Sequence, residues 1–68
     1  MNIKEDFEKY YGKDVRLSCT DEIIIEGHVT GFVTALDSDR GLQELDIKAN
    51  NGICYNIAED EINRIEII

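Results

Sequence analysis

The sequence predicts a mostly β domain, in which an N-terminal α-helix precedes a strongly bent, five-stranded antiparallel small barrel. Three observations carry that expectation. Helical spacing is confined to the first dozen of 68 residues. Beyond Gly12, apolar and polar residues alternate with the period of two that marks half-buried strands. One long β-rich run also holds two glycines, Gly27 and Gly31, which fits a strand that bends sharply around a small core.

The helix is placed at about 3–11. Asn2 with Glu5 three positions on forms a capping box with Asn in place of Ser or Thr. Ile3, Phe7, Tyr10 and Tyr11 then make one apolar stripe. Glu5 and Asp6 in the first turn, with Lys9 and Lys13 at the end, suit the helix dipole, and Gly12 is the natural stop.

The barrel is placed at about 14–68. Val15, Leu17 and Cys19 alternate with Arg16, Ser18 and Thr20, and Thr20-Asp21-Glu22 reads as a turn. A second strand covers 23–36. In it Ile25, Gly27, Val29, Gly31, Val33 and Ala35 share the core parity, while Glu26, His28, Thr30, Phe32 and Thr34 face out. Asp37 to Gly41 form a loop, after which Leu45, Ile47 and Ala49 alternate with charged residues. Asn51-Gly52 supplies the two positive-φ positions of a type I′ hairpin. Ile53, Tyr55 and Ile57 follow; Glu59-Asp60-Glu61 makes a single turn, and Ile65 and Ile67 close with a short strand. Five twisted strands that must hide their edges in so short a chain fit a small SH3-like or OB-like barrel.

Composition bounds the function. Fifteen acidic against seven basic side chains leave a net charge of −8. Ile, Leu, Val and Phe nevertheless make up about 29% of the chain, above the roughly 20% at which disorder sets in. One domain of this size buries only about 60% of its unfolded surface. No apolar run of 18 residues is present, so no membrane partner is expected. Without an apolar leader in Met-Asn-Ile-Lys-Glu-Asp, and with two cysteines, a reducing cytoplasm is the expected compartment. The basic residues are scattered, which disfavours duplex DNA.

The order of pieces is similar to a known family. Tyr11-Gly12-Lys13-Asp14-Val15-Arg16-Leu17, Glu26-Gly27-His28-Val29-Thr30-Gly31-Phe32 and Ile57-Ala58-Glu59-Asp60-Glu61-Ile62-Asn63-Arg64-Ile65 resemble segments of the Sm-like family (Sm, Lsm and the bacterial Hfq branch). The resemblance implies a helix-led bent barrel whose fourth and fifth strands pair between subunits into rings that bind single-stranded RNA. The RNA residues depart from the pattern. Val33 stands where the family has Asp, Thr34-Ala35-Leu36 offer no Asn, and Ala58 and Glu59 replace an Arg-Gly pair. Glu repels phosphate where Arg would bind it.

No nucleophile–base set, phosphate loop or paired carboxylates in an apolar setting is recognisable, so an enzyme is not expected, nor a cofactor. His28 reads as a surface residue. Cys19 reads as a core residue, with Cys54 on the opposite face. Asp37-Ser38-Asp39 lacks the distal Glu of a calcium loop, so no metal is expected. Phe32, on the outer parity, is placed to cover the helix, sit in a subunit interface or stack a ligand. The expected function is a non-catalytic Sm-like binding or scaffold module that self-associates. Weak single-stranded RNA binding is the first alternative, and an acidic mimic that occupies a basic protein surface is the second. Candidate ligand- or RNA-contacting residues are Phe32, Asp37, Arg40, Glu59 and Asp60; Ile53, Tyr55, Ile65 and Ile67 are candidates for the interface of a homo-oligomer.

Overall fold

The structure, a computed structural model, describes residues 6–68. Five antiparallel strands form one sheet: β1 (Asp14–Cys19), β2 (Ile24–Val33), β3 (Glu44–Ala49), β4 (Cys54–Ala58) and β5 (Ile62–Ile67). Their order is β4-β3-β2-β1-β5, so β4 and β5 are the two edges and do not pair with each other. The expected barrel is therefore not closed. Five strands that share one bent sheet leave a seam, because only a fifth ladder between β4 and β5 would remove both edges.

The leading α-helix is corrected as well. Asn2, Ile3 and Glu5 lie outside the described residues, and the described part is a single 3-10 turn at Phe7–Tyr10. A 3-10 turn eclipses residues three apart, which sends Phe7 and Tyr10 into the core together. Both are buried, with ring centroids 6.5 Å apart in an edge contact. Gly12, at φ +77°, then turns the chain; its N–H donates to the Val29 carbonyl, and Val29 donates back to Lys13. Those two bonds draw the backbone into the sheet one residue after the turn.

Val15, Leu17, Val29, Leu45, Ile47 and Ile62 form the centre of the core, closed by the Phe7–Tyr10 turn. β2 is long enough to serve two partners, pairing with β1 through Ile24 to His28 and with β3 from Gly27 onward. The bend expected from its glycines is present, as a β-bulge between Val29 and Gly31. Val29 pairs with Ile47 but Gly31 with Asp46, so Thr30 is the extra residue. An inserted residue reverses the alternation beyond it. Phe32, expected to face out, consequently pairs with Leu45, packs against the core and meets Tyr11 edge-on at 5.9 Å.

At Gly27 the β3 backbone lies too close to β2 to admit a side chain. A Cβ there would overlap the Lys48 carbonyl oxygen and lie 2.6 Å from the Ala49 Cα. The β3–β4 hairpin differs from the expected type I′ turn. Only Gly52 has positive φ; Gly52 N–H donates to the Ala49 carbonyl, and Ala49 N–H to that of Ile53. This is a three-residue loop, a tight turn followed by one left-handed residue. The β1–β2 hairpin repeats it with Glu22, at φ 68°, in the left-handed place.

Candidate functional site

The geometry that could engage a partner lies at the open seam. On β4, Tyr55 and Ile57 continue the core face beside Ile47 and Leu45, while Cys54 and Asn56 are exposed. On β5, Ile65 and Ile67 pair with Leu17 and Val15 and share their inward parity. Ile67 remains 56% exposed, and among the described residues no strand pairs with the outer side of this edge. Between the free edge of β4 and the end of the β1–β2 hairpin lies a cleft of about 280 Å3, walled by Cys19, Ile23, Ile25, Tyr55 and Ile57. A hollow of about 160 Å3 shares Ile23, Ile25 and Tyr55 and extends the apolar lining to Ile24. Ile23, Ile24 and Ile53 are each more than half exposed.

The cleft is apolar in its walls and acidic at its rim, where Asp21 and Glu61 stand. Burial pushes the Cys19 thiol up, with the Asp21 and Glu61 charges adding to it. Such a thiol is unreactive. Cys54 is free and exposed on β4. The Glu61 side chain accepts from the Ala58 N–H, and its carbonyl accepts from Thr20, so the turn Glu59–Glu61 ties the end of β4 to the β1–β2 hairpin.

The other candidate residues do not form one site. Phe32 and Glu59 line a hollow of about 310 Å3 together with Asp6, Glu8 and Gln43. Glu59 also accepts from the Gln43 N–H at 2.8 Å. Asp37, which accepts from the Thr34 hydroxyl, and Arg40 lie on the β2–β3 loop, and Asp60 is exposed on its turn; none of the three lines that hollow. The loop is held by Glu44. Its carboxylate accepts from Ser38 at 2.5 Å and stands 3.8 Å from Arg40. The Ser38 bond, with smaller help from Asn56 and Arg40, lowers the Glu44 pKa.

Each arginine faces a glutamate: Arg16 with Glu26, Arg40 with Glu44 and Arg64 with Glu66. His28 pairs with Asp14 at 2.9 Å on the exposed surface. Among the described residues no three His, Cys, Asp or Glu side chains converge on a metal position, and no helix is long and apolar enough to cross a membrane.

Of the interface candidates read from alternation at the chain's end, Tyr55 lines the cleft, while Ile53 precedes β4 and Ile65 and Ile67 lie on the β5 edge. Sequence reasoning missed Ile23 and Ile24, read as part of a strand interior, although three consecutive isoleucines next to a turn must expose some of their side chains. It gave Asp6 only a helix-dipole role and gave Glu8 none, although both line the hollow beside Phe32. Comparison with known proteins yields no matching family model, and no curated protein or solved structure that matches the chain significantly.

Proposed function

We propose that this chain is a non-catalytic Sm-like scaffold module that self-associates by joining the β4 edge of one copy to the β5 edge of the next. The observation that carries this reading is the pair of open edges, both with apolar side chains on their inward side, with an apolar cleft beside the β4 edge. Each copy offers one edge of each kind, so the contact is heterologous and repeats into a ring or an open chain. Ile53, Ile67 and Ile68 are all more than half exposed. Completing the burial of one such side chain contributes about 1 kcal/mol, roughly half the value for full burial. Backbone pairing along the seam also satisfies edge groups that otherwise rely on water.

The charge of −8 per chain opposes association. Exposed carboxylates are screened beyond about 8 Å at physiological salt, whereas apolar burial is not weakened by it. The glutamate partner of every arginine and the acidic lining around Phe32 favour this reading over RNA binding, since phosphate would meet carboxylates at each place.

A lysine on an edge strand blocks strand addition without disturbing an interior ladder. Ile67→Lys is therefore expected to shift the native mass to that of a single chain while leaving the far-ultraviolet spectrum unchanged. An assembly of unchanged mass would refute pairing through β5.

A further inference from the structure

We infer that the apolar groove between β4 and the β1–β2 hairpin is a docking site for a protein partner, and that it takes an extended segment in which aliphatic residues stand next to lysine or arginine. The inference does not need the self-association proposed above, although both use the free edge of β4.

The groove is longer than either of its hollows. The cleft of about 280 Å3 and the hollow of about 160 Å3 share Ile23, Ile25 and Tyr55, so one apolar wall runs from Ile57 to Ile24. Each part is smaller than the roughly 300–1,000 Å3 of a small-molecule site. Such a groove suits side chains that branch from a chain passing outside it. Among the described residues no strand pairs with the outer side of β4. An extended backbone laid there pairs with that edge while its alternate side chains enter the groove. Ile23 and Ile24, each more than half exposed, are then covered.

Charge decides the chemistry of the occupant. Asp21 and Glu61 stand at the rim of the cleft and Glu26 lines the hollow, whereas no described Lys, Arg or His lines either. Glu26 is held by Arg16. Asp21 and Glu61 are exposed, and among the described residues they accept only from the backbone N–H groups of Ile23 and Ala58, at 3.4 Å each. A phosphate or an acidic segment meets repulsion here, which argues against nucleic acid and anionic lipid. A lysine or arginine lays its aliphatic stem along the isoleucine wall and carries its charge out to the rim. The net charge of −8 draws such a segment in from a distance.

Fluorescence anisotropy at physiological salt tests the site with one labelled peptide, Lys-Ile-Lys-Val-Lys-Ile-Arg. Both the unmodified chain and its Ile67→Lys variant are titrated, so that an assembly occupying β4 does not hide the groove. Ile23→Ser with Ile24→Ser is expected to weaken binding by about tenfold or more, since two exposed aliphatic walls are lost. Asp21→Asn with Glu61→Gln keeps the oxygens that accept from Ile23 and Ala58, and is expected to weaken it about threefold to tenfold. Asp37→Asn with Asp39→Asn removes the same charge from the β2–β3 loop and is expected to change it by less than about twofold, because distant exposed charges are screened. No binding by either protein at hundreds of micromolar peptide overturns the site. Equal losses from the loop pair and the groove pairs overturn it too, since they leave only general attraction to an acidic chain. Sedimentation of the unmodified protein reports on self-association separately. A monomer that binds the peptide through the groove rejects self-association and retains this site, whereas an oligomer whose Ile67→Lys form ignores the peptide does the reverse.

Discussion

At the scale of single residues, backbone proximity and hydrogen bonding set the sharpest expectations. Gly27 lies where two backbones touch, and backbone cannot move aside as a flexible side chain can. Gly27→Val is expected to destabilise the fold by about 3 kcal/mol or more, the upper end for overpacking. A denaturant midpoint equal to that of the parent would disprove the contact. Glu44 behaves differently. Its folded pKa lies below its unfolded value, so it stabilises the fold above about pH 4.5, and that contribution is lost as pH falls through the lower folded pKa. Ser38→Ala is expected to bring the Glu44 pKa, read by carbon-detected NMR titration, back towards the ordinary carboxylate value; an unmoved titration would show that Ser38 is not the cause. The cysteines separate by burial. One thiol per chain is expected to react with an aromatic disulfide in buffer and two in denaturant, and two equal fast reactions in buffer would contradict a buried Cys19.

At the scale of elements, the hairpins and the bulge explain what was legible in the sequence and what was not. Strand positions followed from alternation, because each strand has one face on the core. The bend of β2 was legible from Gly27 and Gly31. The orientation of Phe32 was not, since a bulge at Thr30 costs only one unpaired residue and leaves no distinctive residue type behind. Phe7 and Tyr10 were legible as buried, but not as a 3-10 turn: their spacing of three fits both helices, and the bonds from Gly12 and Val29 decide between them. The cleft was half legible, through Tyr55 and Ile57 on β4, because its other wall is built by a distant hairpin. That hairpin carries a testable strain. Glu22 holds a left-handed conformation that costs a side-chain-bearing residue about 1–2 kcal/mol and glycine nothing. Allowing for glycine's greater freedom when unfolded, Glu22→Gly is expected to stabilise the protein by about 0.5–1 kcal/mol. A lower denaturant midpoint would argue against the strained turn.

At the scale of the whole molecule, 68 residues bury a modest core, leave two sheet edges open and carry an excess of acid. The charge makes a prediction for nucleic acid. With few phosphates neutralised, any binding of oligo-uridine is expected to be weaker than micromolar at physiological salt and to show a shallow salt slope. Nanomolar affinity in a fluorescence titration would overturn that. The edges make the central prediction of the proposed self-association, in which a second copy buries their exposed isoleucines and completes their ladders. Sedimentation equilibrium at tens of micromolar protein and moderate salt tests it most directly. The expected result is a species at a multiple of the 7.8 kDa chain mass, and a single species near 7.8 kDa would contradict it.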